Sequence, residues 1–230
     1  MKNPDIKDMF DTIASGYDFQ NRFLSFMIDA WWRKKMVKNI QNNKHGLVLD
    51  MATGTAEIAL EIVRQKPKLR VVGGDFSPNM LKIGVEKVKK GGLADKIKMF
   101  IGDARKLPFK DAQFDAVTIA FGIRNIRERE KTLREFYSVL RPGGQLIIME
   151  FGFPRTPLIG HLYQLYFNKI LPRVGNTLSR TGYAYSYLAR SVHKFPDNEI
   201  FISMIEEAGF RDVKIKKLTL GIAVLFIARK

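Results

Sequence analysis

Apolar and polar residues follow two different periods along this chain, and the changes between them divide it into elements. Five short apolar runs predict buried strands, at 47–50, 70–75, 97–101, 114–120 and 145–151. Apolar residues at helical spacing predict helices between them, at 56–64, 78–90 and 128–140. The helix at 78–90 has clear end signals, because Ser77 and Pro78 precede it and Gly91 follows it. Strands that alternate with helices in this way predict a doubly wound parallel sheet.

The two ends of the chain have a different pattern. Residues 1–45 are mostly helical in spacing, as the stretch "YDFQNRFLSFMIDAWWRKKMVKNI" at 17–40 illustrates. At the other end, 198–209 predicts a helix and 213–229 predicts two strands in a hairpin. The predicted fold class is therefore α/β, with a doubly wound, mostly parallel seven-stranded sheet whose last strand is antiparallel.

The length of 230 residues, of which 46% are hydrophobic, predicts a single domain at 1–230. Within it we expect a helical segment at 1–45, a core made of 46–150 and 197–230, and an insertion at 151–196. The insertion has no Asp or Glu, yet it carries six Lys or Arg residues and nine Phe or Tyr residues. A solvated basic face over ordinary core aromatics is the alternative interpretation of that composition.

Composition excludes several kinds of chemistry. The chain has no cysteine, so disulfides, thiolate metal sites and a cysteine nucleophile are excluded, and a reducing cytoplasm is permitted. Its three histidines, His45, His161 and His193, are widely scattered, so no metal site is predicted. The N-terminus is acidic and lacks an apolar run, so no signal peptide is expected, and no stretch reaches the ~20 apolar residues of a membrane span. We expect a cytoplasmic protein that at most lies on the inner face of a membrane.

The first strand leads into an unusual turn, "VLDMATGTAEIALEI" at 48–62. A strand that ends in an acid before a helix is a place where α/β sheets bind ligands. Dinucleotide sites need three glycines there to approach a pyrophosphate, whereas this turn has only Gly54, flanked by Ala52 and Ala56. A ligand without phosphates fits the turn better, and a plain turn without any ligand remains the alternative.

Acids recur at the ends of three successive strands, namely Asp50, Asp75 and Asp103. Carboxylates suit S-adenosylmethionine, which carries a sulfonium, an ammonium group, a ribose diol and an adenine amine, whereas they would repel a pyrophosphate. Asp75 is predicted to accept from the ribose hydroxyls and Asp103 from the adenine amine, while the Ala104 N–H donates to the ring. Each acid alone has the alternative role of a turn former or helix cap. The predicted cofactor residues are Asp50, Gly54, Thr55, Asp75, Asp103 and Ala104.

Several motifs resemble one enzyme family over almost the whole chain. The sequence is similar to the quinone-biosynthesis C-methyltransferases, class I enzymes with a Rossmann-like fold that methylate demethylmenaquinol or a ubiquinone precursor. The least specific shared motifs are "DARKLPF" and "VLRPGG". The most particular are "FGIRNI" at 121–126 and "YAYSYLARSVHKFP" at 183–196. The others are "FDTIASGYDFQNRFLS", "WRK", "LDMATGTAE", "EFGFP" and "ILPRVG".

The chain departs from this family's pattern at a few positions. Where the family usually reads Gly-Thr-Gly-Asp, the chain has Ala56 and Glu57 in the last two places. Met27 and Asp29 stand where the family usually has a glycine and a histidine, and Ala120 stands where it often has a serine. These changes concern the cofactor turn and the acceptor rather than the fold.

The resemblance implies that Arg124 and Asn125, which follow the fourth strand, face the acceptor ring. Methyl transfer to a ring carbon needs a donor that stabilises the quinol oxyanion, and these two side chains suit that role. An arginine stays protonated, so a water held by Arg124, Asn125 or Tyr17 is expected to take the proton. The predicted catalytic residues are Arg124, Asn125 and Tyr17; an ion pair of Arg124 with Glu128 is the alternative.

The net charge of +16 predicts an anionic partner. We expect the insertion at 151–196 to be an acceptor lid whose aromatic residues line a route for a prenylated quinol, and whose basic residues contact an anionic membrane. Those aromatic residues are Tyr163, Tyr166, Phe167, Tyr183 and Tyr187. An RNA methyltransferase, an enzyme for another small aromatic acceptor and a domain that has lost methyl transfer remain alternatives. Nucleic acid is disfavoured, because a cysteine nucleophile and an Asn-Pro-Pro-Tyr motif are both absent. The quinol ring, its tail length and the oligomeric state, a homodimer included, are left open.

Overall fold

The computed structural model describes residues 6–25, 27–41, 46–154, 156–178 and 183–230. Of the residues singled out above, His45 lies outside these ranges. Two basic residues of the insertion, Arg155 and Arg180, lie outside them as well.

Seven strands form one sheet in the described part of the chain. They are β1 Leu47–Met51, β2 Arg70–Asp75, β3 Ile97–Ile101, β4 Phe114–Ala120, β5 Leu140–Phe151, β6 Arg211–Leu218 and β7 Ala223–Arg229. Their order across the sheet is β3-β2-β1-β4-β5-β7-β6. Strands β1 to β5 are parallel, and β7 pairs antiparallel with β5 and with β6. The predicted mostly parallel sheet with an antiparallel last strand is confirmed.

Ten α-helices are described around the sheet. They are α1 Ile6–Ile13, α2 Tyr17–Leu24, α3 Ile28–Lys38, α4 Glu57–Gln65, α5 Pro78–Lys90, α6 Arg129–Val139, α7 Pro157–Leu165, α8 Leu171–Leu178, α9 Ala184–His193 and α10 Asn198–Glu207. A π-helical turn, Tyr166–Ile170, joins α7 to α8. None of the described helices combines the length and hydropathy needed to cross a bilayer.

Helices cover both faces of the sheet because successive strand residues point to opposite sides. Val48 packs into a cluster with buried residues of α3 and α4, whereas its neighbour Leu49 packs with those of α6 and α10. The central strands β1 and β4 are buried on both faces, which explains why they appear in the sequence as continuous apolar runs.

A third apolar cluster joins the two segments that lie outside the core. Met9 and Leu24 of the N-terminal segment are buried together with Phe167, Leu171 and Tyr185 of the insertion. The Tyr166 hydroxyl also donates to the backbone oxygen of Leu24 at 2.7 Å. The segments at 1–45 and 151–196 therefore pack on each other although they are far apart in sequence.

Two boundaries differ from the sequence-based expectation. The stretch at 17–40 is broken between α2 and α3, where Met27 has a φ of 65°. Strand β5 begins at Leu140 instead of 145, since Leu140 pairs with Phe114 before the register shifts to Gln145 and Ala116. In both cases a local backbone change, which apolar spacing does not reveal, sets the boundary.

Met27 offers a test of that break. Its left-handed backbone costs a non-glycine residue about 1–2 kcal/mol, and its side chain is 64% exposed, so truncation loses little packing. We expect Met27→Gly to raise the free energy of unfolding by about 1 kcal/mol, and Met27→Ala, which keeps the penalty, to leave it nearly unchanged. Urea unfolding measures both, and equal stabilities for the two variants would contradict the interpretation.

Candidate functional site

One cavity opens at the carboxyl ends of the parallel strands, where the strand order reverses between β1 and β4. Its volume is about 770 Å³, and we call it the strand-end cavity. It is lined by residues that follow four different strands, among them Ala52, Asp75, Asp103, Ala104, Phe121 and Asn125. The acids of β2 and β3 that the sequence singled out therefore meet in one place.

Asp75 is buried at the end of β2 and joins two loops. One carboxylate oxygen accepts the N–H of Gly54 at 2.8 Å, and the other accepts the N–H of Ser77 at 2.9 Å. Burial raises the pKa of Asp75, while these backbone hydrogen bonds act in the opposite direction. A carboxylate has about four acceptor positions, so the side chain retains capacity for further donors in the cavity.

Asp103 is held by a neighbouring arginine. The Arg105 guanidinium donates to both of its carboxylate oxygens, with distances of 2.6 to 3.0 Å, and this hydrogen bonding lowers the pKa of Asp103. Arg105 also pairs with Glu128 at 2.7 Å. The proposed alternative partner of Arg124 is thus bound to a different arginine.

Asp50 lies outside the strand-end cavity. Its carboxylate is buried and accepts the hydroxyls of Thr53 at 2.6 Å and Thr118 at 2.7 Å. The structure therefore places this acid beneath the turn after β1, where it supports the loop that carries Gly54. Thr55 also points elsewhere, since its hydroxyl donates to Asp18 of α2 at 2.6 Å.

A second cavity, of about 320 Å³, lies beside the first. Its walls are mainly apolar and aromatic and come from the N-terminal helices, the insertion and the end of β4, so we call it the apolar cavity. The two cavities share wall residues: Phe10, Tyr17, Ala52, Gly54, Ala120 and Phe121. Two molecules that occupied the cavities would meet across this common wall.

Arg124 is a buried cation in the wall of the apolar cavity. The Arg124 Nη1 donates to one Glu150 carboxylate oxygen at 3.0 Å and to the Phe121 backbone oxygen. The backbone N–H of Arg124 donates to the other Glu150 oxygen at 3.1 Å. The guanidinium also lies over the Phe151 ring, 5.5 Å from its centre. Its Nε is buried without a hydrogen-bond partner among the described residues. Such an orphaned donor in a cavity wall suits a ligand oxygen.

The other two predicted catalytic residues flank Arg124. Asn125 lines the strand-end cavity, and its side-chain oxygen accepts the hydroxyl of Tyr187 at 3.0 Å. Tyr17 lines both cavities. Burial raises the pKa of Tyr17, against the opposing effect of the Arg124 charge, so its hydroxyl keeps its proton and acts as a donor. The structure thus brings Arg124, Asn125 and Tyr17 to the boundary between the cavities.

Comparison with known proteins assigns the chain to a family. The model of the ubiE/COQ5 methyltransferase family matches residues 1–230. The chain belongs to this family. The ubiquinone/menaquinone biosynthesis C-methyltransferase UbiE of Geotalea daltonii is 44% identical over 100% of this chain and 97% of its own length. The demethylmenaquinone methyltransferase of Bacteroides fragilis is 38% identical over 100% of this chain and 94% of its own.

Solved structures agree on the fold. Phosphoethanolamine N-methyltransferase 2 of Haemonchus contortus, solved with S-adenosylhomocysteine, has a TM-score of 0.73 at 18% identity. The match covers 100% of this chain and 61% of that one. A methyltransferase from Aquifex aeolicus has a TM-score of 0.61 at 20% identity, over 86% of this chain and 88% of that one. At this identity the likeness concerns the fold alone, which is that of class I methyltransferases.

Three of the five positions where the chain departs from the expected pattern, Asp29, Glu57 and Ala120, line the cavities, whereas Met27 and Ala56 do not. Ala56 has a φ of 67°, and Met27 has a φ of 65°, so both residues that replace an expected glycine keep a backbone that favours glycine. Ala120 is on the wall that the two cavities share. Glu57 and Asp29 line the apolar cavity and belong to a network of charged side chains.

This charged network is a feature that sequence reasoning missed. Glu57 at the start of α4 accepts from Lys87 at 2.6 Å and from Arg22 at 3.1 Å. Lys87 also pairs with Asp18, and Arg33 pairs with Asp29 at 2.9 Å. Although burial acts to raise it, the pKa of Glu57 is lowered by Lys87, Arg33 and Arg22. The network ties α2 and α3 to α4 and α5.

Glu150 had no predicted role, and Tyr187 was predicted only to line the acceptor route, although both lie in motifs that carried the resemblance. Glu150 is buried at the end of β5, and both of its carboxylate oxygens accept from Arg124. Tyr187 lines the apolar cavity and donates to Asn125. The motifs "EFGFP" and "YAYSYLARSV" were the available signal, but they do not reveal which residues those side chains contact.

The supporting role of Asp50 predicts a pH effect on stability. Burial raises its pKa from 3.8 to about 6, despite the two threonine hydroxyls. The folded protein therefore holds the proton of the Asp50 carboxyl group more tightly than the unfolded chain does. The stabilisation of the folded state that results is complete below pH 4 and is lost as the pH rises through 6. Asp50→Asn keeps a neutral group at this position at every pH. The difference in free energy of unfolding between the variant and the wild type should therefore shift by about 3 kcal/mol in favour of the variant between pH 4 and 7. Urea unfolding across that range measures it, and a difference that does not change with pH would contradict the assignment.

Proposed function

We propose that the protein transfers the methyl group of S-adenosylmethionine to a ring carbon of a prenylated quinol, converting demethylmenaquinol to menaquinol. The observation that carries this proposal is an apolar cavity with a buried arginine that shares a wall with a polar cavity at the strand ends. A donor in the polar cavity and an aromatic acceptor in the apolar one would meet at that wall. The names of the two curated relatives above support a quinone acceptor.

The strand-end cavity fits S-adenosylmethionine by the chemistry of its lining. Asp75 and Asp103 are acceptors that match the hydroxyls and amine of an adenosine, and Gly54 keeps the turn free of a side chain with a φ of 55°. A Cβ on Gly54 would meet nothing within 4 Å, so the space above it is open. The cofactor supplies an electrophilic methyl group when bound.

The residues around Arg124 would hold and activate the quinol. Arg124 and Asn125 place donors near the acceptor oxygen and favour its anionic form, which makes the neighbouring ring carbon electron-rich. Glu150 fixes the guanidinium from behind and balances its charge. Tyr17 remains protonated and orients a water that takes the hydroxyl proton. Because these groups are set before the acceptor arrives, little reorganisation is needed.

The insertion supports an acceptor with an apolar tail. Of the five aromatic residues predicted to line a tail route, Tyr163, Tyr166, Phe167 and Tyr187 line the apolar cavity, and only Tyr183 does not. Phe151, Phe153, Tyr163 and Phe167 form a chain of ring contacts, with centres 5.4 to 6.2 Å apart. A lid role for 151–196 and a peripheral membrane contact are part of this proposal.

The cofactor assignment is tested by Asp75→Ala. Each hydrogen bond to a charged acceptor contributes about 1.5–3 kcal/mol, so calorimetry should show at least a tenfold weaker affinity for S-adenosylmethionine. Asp115→Ala is the matched control, because Asp115 also accepts a backbone N–H, that of Leu47 at 2.7 Å, but at the opposite end of the sheet. Equal affinities for the two variants would refute the assignment.

The acceptor assignment is tested by turnover of a reduced demethylmenaquinol. Arg124→Gln should lower kcat by about 10²-fold or more, the usual effect of losing an oxyanion donor. A tail-less naphthoquinol should show the same loss, since the arginine acts on the ring. Arg141→Gln, which removes a surface cation paired with Asp115, should leave kcat unchanged.

A second variant separates chemistry from folding. Arg124→Gln alone leaves Glu150 buried without its cation, which destabilises a protein by about 3–5 kcal/mol. The double variant Arg124→Gln, Glu150→Gln removes both charges, so it should fold and still show the loss in kcat. Full turnover by the double variant, or methylation of RNA in place of quinols by the wild type, would overturn the proposal.

A further inference from the structure

Helices α2 and α3 and the break between them carry a group of exposed large apolar side chains. Phe19 and Phe23 of α2, Met27 at the break and Trp31 of α3 are 68%, 55%, 64% and 44% exposed. The rings of Phe19 and Phe23 stack on each other, with centres 6.1 Å apart. Ile28 is exposed beside them. We call these five residues the apolar stripe.

Such a stripe is costly in water unless a partner covers it. The same helices bury their other face, since Leu24, Trp32 and Met36 are core residues. The exposed residues are therefore not needed for packing in the described structure. Their side chains project outward from helices that are otherwise well packed.

The charges around the stripe are positive. Between 17 and 38 the chain has two acids, and both are bound within the structure: Asp18 pairs with Lys87, and Asp29 is buried against Arg33. Lys34 and Lys38 are exposed, and the Lys35 amine lies over the Trp31 ring at 5.1 Å from its centre. The surface next to the stripe thus presents cations and no free carboxylate of these two helices.

We propose that the apolar stripe docks on an anionic lipid bilayer. Aromatic side chains that lie beside lysines on the outer face of a helix are typical of segments that lie in a membrane interface. A second copy of this chain is disfavoured as the occupant, because a twofold contact through the stripe would bring the two sets of lysines together. Lipid headgroups of negative charge complement the lysines, and acyl chains complement the phenylalanines.

The stripe reaches the wall of the apolar cavity. Ile28 belongs to the stripe and also lines that cavity, so the two surfaces share a residue. Docking would bring the apolar cavity close to the bilayer, where a prenylated quinol resides. This use of the surface rests on the proposed function, whereas the docking itself rests only on the stripe and its charges.

Vesicle binding tests the docking directly. Wild-type protein should sediment with vesicles of phosphatidylcholine and phosphatidylglycerol, less with phosphatidylcholine alone, and less as salt increases. Brominated lipids should quench the fluorescence of the exposed Trp31 and spare Trp32, which is 4% exposed. Trp31→Phe should remove most of the quenching. Quenching that persists in this variant would contradict docking through the stripe.

A double variant identifies the surface. Phe19→Gln, Phe23→Gln should weaken vesicle binding at least tenfold, because it removes two side chains that would enter the acyl region. Ile101→Gln, Ile200→Gln is the matched control, since these side chains are similarly exposed on β3 and α10. Equal binding by the two variants would overturn the proposal. So would a wild-type dimer in sedimentation velocity that the phenylalanine variant converts to monomer.

Turnover assays separate this inference from the proposed function. Neither Phe19 nor Phe23 lines the apolar cavity or the strand-end cavity, so their variant should methylate a tail-less quinol at the wild-type rate and slow only with a long-tailed quinol in vesicles. If no quinol is methylated but vesicle binding needs the stripe, the docking stands and the proposed acceptor fails. If quinols in vesicles are methylated equally by both proteins, the docking fails and the acceptor stands.

Discussion

The carboxylate of Asp75 holds together the turns on which the strand-end cavity depends. It accepts the N–H of Gly54 after β1 and the N–H of Ser77 before α5, so two separate loops meet at one side chain. Leaving the buried Ser77 N–H unpaired would cost about 1–3 kcal/mol, which favours this arrangement of the two loops. The same carboxylate lines the cavity, so the group that shapes the cofactor turn is also the group proposed to bind the ribose. Structure and binding are coupled at this residue.

Buried acids at other strand ends serve the site indirectly. Asp50 after β1 is occupied by two threonine hydroxyls, and Glu150 at the end of β5 is occupied by Arg124. Because these hydrogen bonds occupy their carboxylate oxygens, Asp50 supports a loop and Glu150 supports the Arg124 guanidinium. Asp103 differs because its side chain is half-exposed and is paired with the similarly exposed Arg105. All of these acids lie at strand ends, but the burial of each side chain and the residues that it contacts decide its role.

The apolar cavity is made by segments outside the sheet. The N-terminal helices and the insertion form a shared apolar cluster, and the charged network around Glu57 and Lys87 fixes the N-terminal helices to the core. These helices face the cavity on one side and present the apolar stripe on the other. The sheet alone, whose fold distant methyltransferases share, would offer only the strand-end cavity, the one proposed for the cofactor.

The sequence determined the strands, the mostly parallel sheet and the acids at strand ends, because the hydrophobic period and the end signals of each element are local features of the chain. Its motifs also pointed to Arg124, Asn125 and Tyr17. Tertiary structure alone decided that Arg124 pairs with Glu150, 26 residues away, and that Asp50 turns away from the cavity while Asp75 faces it. It also decided the break at Met27 and the meeting of the segments at 1–45 and 151–196. These features depend on which strands and helices become neighbours, and spacing along the chain carries no record of that.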